Sequence, residues 1–291
     1  MEEHKGMKWS LVSVISLIFL FQFAAYGSAE DVGARLADQF LKKSAITEID
    51  PGMTMEQGLK TQTQFVACLG KQFGKPVGYK AGLTNPVAQK AFGITQPVRG
   101  TLLTKMLLKN GATLEKNSGI RLFAEGDLIV RVGSDTINQA KTKEDAIKAI
   151  DVAIPFLELP DIPFGPQVKI NGPILVAVNV GARYGVMGNP IPLTPSPECM
   201  ERLKNFTIKL YDDKGSLFSE GKGTALLGDP LNALLWIRDS LAAEGKTLKK
   251  GDLLSLGSIT KMMPTKPGTT IKATFTGLDP KGPVEISASF K

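Results

Sequence analysis

Glu125-Gly126-Asp127-Leu128-Ile129-Val130-Arg131-Val132 reads as a β-strand over Asp127–Val132 with two acids at its entrance. β-Branched and aliphatic residues fill the run, and a glycine precedes it, as expected of a strand within a sheet. Side chains alternate along extended backbone, so Glu125 and Asp127 share one face, about 7 Å apart. Two carboxylates so placed repel unless a cation sits between them. A hard divalent ion, Mg²⁺ or Mn²⁺, suits an all-oxygen site that keeps some of its waters. A second apolar run, Ile154-Pro155-Phe156-Leu157-Glu158-Leu159, carries one acid, Glu158, which would be costly to bury alone. The same residues allow a plainer reading: Glu125 and Asp127 as solvated acids at a strand edge, and Glu158 paired with a lysine.

Lys80 is the next candidate, in Gly78-Tyr79-Lys80-Ala81-Gly82-Leu83-Thr84. Flanking glycines let backbone approach a ligand closely, and a lysine there can meet a carboxylate or act as an acid or base; it also reads as a surface lysine in a strand-turn. Gly221-Lys222-Gly223 lacks the spacing of a phosphate loop and is set aside.

Around these segments the pattern predicts further strands at Val77–Lys80, Ile154–Leu159, Ile174–Val178, Thr207–Tyr211, Leu253–Leu256, Thr270–Thr276 and Val284–Ser289, with Asp212–Gly215 as a hairpin turn. Amphipathic spacing predicts a helix over Asp31–Lys43 and a second, capped by Thr54, running to Phe73. Thr142 caps a short helix. The clearest helix is Pro230–Glu244, capped by Asp229, with proline at its first position and Gly245 beyond its end. A helical N-terminal section ahead of a β-rich body is an α+β domain.

The chain has 291 residues, 43% hydrophobic and 22% charged, enough to bury a substantial core. Its one histidine, His4, lies beside the N-terminus. Trp9–Ala29 is uncharged and apolar, follows Lys5 and Lys8, and ends in small residues, so residues 1–29 read as a signal peptide cleaved after Ala29. An uncleaved anchor is the competing reading. Residues 30–291 then form one domain, exported and periplasmic, with no stable membrane insertion and no histidine. Serine and cysteine mechanisms built on histidine, and histidine-ligated zinc, drop out. The net charge of +7 draws small anions; the basic residues are dispersed, with no groove-reading motif, so nucleic acid is not an expected partner. Cys68 and Cys199, far apart, read as buried free thiols, with pairing in an oxidising compartment as the alternative.

Six segments run in a familiar order: 78–84; Gly93-Ile94-Thr95-Gln96-Pro97 with Gly100-Thr101-Leu102; Glu125-Gly126-Asp127; Glu158; 221–223 with Leu227-Gly228-Asp229-Pro230-Leu231-Asn232-Ala233; and Gly251-Asp252-Leu253-Leu254-Ser255-Leu256-Gly257-Ser258. From about Thr54 to the C-terminus, the chain resembles the 2-keto-4-pentenoate hydratase branch of the fumarylacetoacetate hydrolase superfamily. The resemblance implies a fumarylacetoacetase C-terminal-domain-like fold, a mixed β-roll or sandwich core with peripheral helices, usually in homo-oligomers. It implies a divalent metal, Mg²⁺ or Mn²⁺, on Glu125, Asp127 and Glu158. Aspartate replaces the second glutamate of the family's motif, so the ion would sit deeper or keep an extra water. The family lysine matches Lys80, as the catalytic group. Tyr79, Gly82, Asn179, Gly257 and Ser258 fall at substrate-binding positions.

Relatives commonly read Ala-Asp-Asn-Ala-Ser where this chain has Ala177-Val178-Asn179-Val180-Gly181. Asn179 survives; the acid and the hydroxyl do not. Arg183, two residues on, is expected to hold a substrate carboxylate in the altered pocket. The implied activity is that of a hydratase-like lyase on an unsaturated 2-oxo or 2-hydroxy acid, the partner being a small-molecule carboxylate. Decarboxylation and carbon–carbon hydrolysis are sister reactions on the same platform. An exported binder of small 2-oxo acids, with catalysis lost, is the rival from another class.

Overall fold

The computed structural model describes residues 29–115 and 117–291; His4 and the expected signal segment up to residue 28 lie outside them. Helices α1 (Ala29–Lys42) and α2 (Met55–Phe73) form the N-terminal layer. Thr54 caps α2 through a reciprocal box: its hydroxyl accepts from the Gln57 amide at 3.2 Å, and Gln57 Oε1 accepts from the Thr54 amide at 2.7 Å. Then come β1 (Pro76–Gly82), α3 (Pro86–Ala91), β2 (Val98–Leu103), β3 (Leu107–Lys109), β4 (Ala112–Leu114) and β5 (Phe123–Val132). The middle of the chain gives α4 (Lys143–Lys148), β6 (Ile150–Leu159), α5 (Gly172–Ala177), β7 (Tyr184–Met187), β8 (Ile191–Pro192), α6 (Pro197–Asn205), β9 (Thr207–Tyr211) and β10 (Leu217–Lys222). It closes with α7 (Pro230–Ala242), β11 (Leu253–Ser255), β12 (Met263–Pro264), β13 (Thr269–Thr276) and β14 (Val284–Phe290).

The strands make two sheets, ordered β2-β1-β11-β5-β6-β7-β3 and β10-β9-β13-β14-β4; β12 adds to β5 and β8 to β6. The larger sheet curls. β11 and β5 separate β1 from β6, a distance of roughly 14 Å in a flat sheet, yet the side chains of Lys80 on β1 and Glu158 on β6 touch. The architecture is the expected α+β one. Among the described residues, no helix is long and apolar enough to cross a membrane.

β5 and β6 are buried on both faces, which is why they read as continuous apolar runs rather than alternating ones. Leu128, Val130, Ala153 and Leu157 enter the main core beneath the second sheet and α7. Ile129, Val152, Ile154 and Phe156 cluster on the opposite face. Glu125 and Asp127 lie in register on that second face, because they alternate with Leu128 and Val130. The N-terminal helices add a further core in which Leu36, Phe40, Phe65 and Leu69 are fully buried.

Most expected elements form within a few residues of their predicted ends. Ile174–Val178 does not: the expected strand is helix α5 with its following turn. Ile and Val favour strands in isolation. Here Asn171 Oδ1 accepts from the Ile174 amide at 2.9 Å, Pro173 occupies the first turn, and burial of Ile174, Leu175, Val176 and Ala177 outweighs β-propensity. Strand β2 was not expected, because Arg99, Gly100 and Thr101 interrupt its apolar pattern; pairing with β1 supplies its order. Cys68 and Cys199 are free, Cys199 buried and Cys68 only partly so. Replacing the α5 cap, Asn171→Ala, should lower the unfolding free energy by about 1 kcal/mol in urea titration with an unchanged slope; an unchanged midpoint would show that the cap does not hold this helix.

Candidate active site

Four strands supply the site. β5 and β6 pair antiparallel with Glu125 directly opposite Glu158. β1 and β11 pair parallel with Lys80 beside Ser255. Curling of the sheet turns all of these side chains inward. The Lys80 ammonium forms an ion pair with Glu158 and donates to the Val180 carbonyl at 3.2 Å. Asp127 is fully buried; its carboxylate accepts from the Ser255 hydroxyl, the Leu128 amide and, at 3.0 Å, the Gly257 amide. The segment after β11 runs along β5, held by Ile259 N to Gly126 O and Gly126 N to Thr260 Oγ1, both 2.9 Å. This lays Ser258 against Glu125.

Three carboxylates and one ammonium are thus buried together, none more than 8% exposed. Burial, then the neighbouring Glu158, pushes the Glu125 carboxyl up to about 8, with Lys80 and the Ser258 hydroxyl pulling the other way. Burial and Glu158 likewise hold Asp127 well above the usual carboxylate range, against its bonds to Ser255 and Leu128. For Lys80, burial works to remove the charge, but Glu158, Glu125 and Asp127 outweigh it and its pKa stands above the ordinary value. The plainer reading of solvated strand-edge acids therefore fails for Glu125 and Asp127, while its pairing of Glu158 with a lysine holds.

With every group ionised, the cluster carries two negative charges in excess, the charge of one divalent cation. An all-oxygen, buried and anionic donor set fits a hard ion. As they stand, no three His, Cys, Asp or Glu side chains among the described residues are arranged around a metal position. The reason lies in the partners: Asp127 is turned to Ser255 and Gly257, and Glu158 to Lys80. Glu125 and Glu158 are the pair facing each other across the strands.

A pocket of about 240 Å³ opens beside this cluster. Its polar lining residues are Lys80, Thr84, Asn85, Glu125, Ser258 and Thr260; its larger apolar ones, which form the apolar wall, are Leu83, Phe92, Ile162, Leu175, Val180 and Met262. Two lining residues, Leu83 (φ 56°) and Val180 (φ 54°), hold left-handed backbone, as does adjoining Asn179 (φ 59°). Strained backbone gathers at ligand sites because only a rigid surround can maintain it. A larger cleft of about 510 Å³, lined by Trp236, Arg99 and Glu244 among others, holds no carboxylate cluster, and its Arg99 is already bonded to Ser240 and Glu244.

Of the expected substrate-binding residues, Gly82 and Ser258 line the pocket. Gly257 lies just behind it: its amide holds Asp127, and at φ 115° a Cβ there would stand 2.7 Å from the Thr84 side chain. Three others lie elsewhere. Tyr79 alternates with Lys80 and so faces the other side of β1, where the Arg99 guanidinium stands 5.2 Å from its ring. Asn179 is fully buried; Thr101 N donates to its Oδ1 at 2.7 Å, and its Nδ2 donates to Thr101 O at 2.9 Å, so it pins the 179–181 turn to β2.

Arg183 does not reach the pocket. Its side chain is fully buried, paired with Asp161 at 3.1 Å, donating to Phe40 O and Ser118 O and lying 4.3 Å over the Phe40 ring. The departures at 178 and 181 also fall outside the pocket lining. Val178 is fully buried in the N-terminal core, and a Cβ at Gly181 (φ 67°) would stand 2.9 Å from Asp161 O. Thr84 and Ser255 lie within segments 78–84 and 251–258 but carry no role from sequence alone; Thr260 and the apolar wall, assembled from five separate segments, carry no spacing signal.

No family model matches the chain. It is 30% identical over 202 residues to a 2-keto-4-pentenoate hydratase of Burkholderia vietnamiensis, covering 69% of this chain and 75% of that protein. It is 29% identical over 229 residues to the TodF product hydratase of Pseudomonas putida, covering 76% and 79% respectively. Among solved structures, 4-oxalocrotonate decarboxylase from Pseudomonas putida G7, complexed with magnesium and adipate, superposes with a TM-score of 0.79 over 90% of this chain and 97% of that one, at 22% identity.

The raised Glu125 pKa has a consequence for stability. A carboxyl whose folded pKa exceeds its unfolded value stabilises fully below the unfolded pKa, and that contribution is lost as pH rises through the folded one. The chelator-stripped protein should therefore lose thermal stability between about pH 4.5 and about pH 8, with Glu125→Gln flattening the fall and excess Mg²⁺ opposing it. A melting temperature level across that window in the stripped protein would contradict this electrostatic picture.

Proposed function

The chain belongs to the 2-keto-4-pentenoate hydratase branch of the fumarylacetoacetate hydrolase superfamily, and we propose that it is a metal-dependent hydro-lyase adding water to an unsaturated 2-oxo or 2-hydroxy monocarboxylic acid. One observation carries the choice. Lys80 is the sole cation and Glu125 the sole acid among the pocket's lining residues, both belong to the one buried charge cluster, and apolar side chains make up most of the rest. A substrate with one carboxylate and an apolar tail matches it. A dicarboxylate, such as the adipate bound by the structurally similar decarboxylase, would bury its second charge against Leu83, Phe92, Leu175 and Val180, a large desolvation cost without a partner.

Glu125 and Glu158 would hold a divalent cation, Mg²⁺ or Mn²⁺, with Asp127 behind them. Such a cation supplies stabilisation of the negative charge that develops on the 2-oxygen during enol–keto exchange. Lys80 stays protonated and is fixed by Glu158 and the Val180 carbonyl, so its Nζ presents a proton or pairs with the substrate carboxylate at a defined place. Asp127 takes no proton from substrate; fully enclosed by Ser255, Leu128 and Gly257, it anchors the segment carrying Ser258. In the net reaction, the enol proton leaves the 2-oxygen, C5 gains a proton, and water adds across C3–C4 with its oxygen on C4. The apolar wall surrounds that far end and keeps other water away.

The departures Val178 and Gly181 motivate the rival of a catalytically silent binder; Val178 is buried in the N-terminal core, and neither residue lines the pocket. Export is part of the proposal: cleavage after Ala29 would leave a chain that begins at the start of α1. Periplasmic fractionation with N-terminal sequencing should return Glu30 as the first residue; a full-length membrane-bound product would overturn this. For the chemistry, Mg²⁺-loaded protein should bleach the ultraviolet absorbance of 2-hydroxypenta-2,4-dienoate. Glu158→Gln should lower turnover by more than about 100-fold and abolish calorimetric Mg²⁺ binding. Activity retained without metal would sink the model.

A further inference from the structure

Asn179, Val180 and Gly181 form three consecutive left-handed residues, at φ 59°, 54° and 67°. Asparagine and glycine tolerate this region, but a β-branched residue there is an outlier. Val180 also meets both a charged group and the apolar lining of the pocket. Its carbonyl accepts from the Lys80 ammonium at 3.2 Å, while its isopropyl group lines the pocket, with Cγ1 only 2.6 Å from where a Cβ on Gly82 would stand.

We infer that Val180 is the specificity-determining residue of this pocket, setting how long or wide a substrate tail can lie beyond the reacting carbons. This deepens, and rests on, the proposed reading of the pocket as a site for 2-oxo acids. A wall residue decides size only if it cannot retreat, and Val180 is held on every side. Asn179 is clamped to Thr101 through both amide atoms. The Asp161 amide donates to Gly181 O at 2.9 Å. β-Branching leaves the side chain few rotamers, and Leu175 and Val98 pack against it in one apolar cluster. The other apolar wall residues include longer side chains with more freedom to turn aside. The pocket of about 240 Å³ thus has a stiff stop beside Gly82.

The test uses Mg²⁺-loaded wild type, Val180→Ala, and the near-isosteric Val180→Thr as a shape control, each checked by thermal melt. Binding of saturated 2-oxopentanoate and 2-oxooctanoate is measured by calorimetry, and kcat/KM for 2-hydroxypenta-2,4-dienoate and 2-hydroxyocta-2,4-dienoate by absorbance. Val180→Ala should raise the long-to-short ratio about tenfold or more in both assays, the discrimination expected for removed methyl groups in an apolar pocket. Val180→Thr should keep the wild-type ratio. An unchanged ratio in a folded Val180→Ala protein, or an equal shift in Val180→Thr, overturns the inference. If wild type turns over neither dienoate, the hydratase reading fails by itself, and the binding ratio still decides the role of Val180. Absence of binding by either oxo acid to any of the proteins overturns both.

Discussion

Burying Glu125, Asp127 and Glu158 against the single ammonium of Lys80 is the constraint around which this molecule is organised. Enclosed carboxylates repel one another and resist ionisation, and each needs hydrogen bonds or a cation to be tolerated. The chain answers with the Ser255 hydroxyl and the Gly257 and Leu128 amides on Asp127, Lys80 on Glu158, and Ser258 beside Glu125. Leu128 belongs to β5 itself, Ser255 and Lys80 come from the neighbouring strands β11 and β1, and Gly257 and Ser258 from the segment that follows β11, so the charge cluster and the sheet order specify one another. A cluster left with excess negative charge is unfavourable for an empty fold and favourable for a site that receives a cation and a substrate carboxylate.

The layers outside the sheet hold this geometry in place. Arg183 and Asp161 join α1 to the end of β6, through the Phe40 carbonyl on one side and the Ile120 and Arg121 amides on the other. Asp161 stands three residues beyond Glu158 and also binds Gly181, so the same buried pair locates both Glu158 and the left-handed turn that receives Lys80. A buried ion pair adds little net stability compared with apolar packing, but its geometry is specific, and losing one partner is costly. The expectation that Arg183 would grip substrate mistook this internal brace for a binding group. An arginine two residues from a motif carries no sign of which way it points.

The segments that were legible are those whose signal is local. Thr54, Thr142 and Asp229 cap helices where expected, because a cap needs only its own next few residues. Strands β5, β6, β9, β13 and β14 announce themselves by continuous or alternating apolar residues. The failures are non-local. Ile174–Val178 carries strand propensity but is wound into a helix by Asn171, Pro173 and burial on all sides. Tyr79 shares a motif with Lys80 yet faces away from it, since alternation along β1 sends neighbours to opposite faces.

Sequence alone determined the chemistry available to this protein: carboxylates, lysines and hydroxyls, with no histidine beyond His4, and an acid pair on one strand face with a third acid on another. Residue type and period-two spacing suffice for that, because both are properties of the chain itself. Tertiary structure decided which of those groups act together. Only the curl of the sheet brings Lys80 across two intervening strands to Glu158. Only the packing of α5 and its turn against β1 and β2 sets Val180 in the pocket and sends Val178 into the core. Those choices depend on contacts between residues 78 to 100 positions apart, a separation that no local pattern encodes.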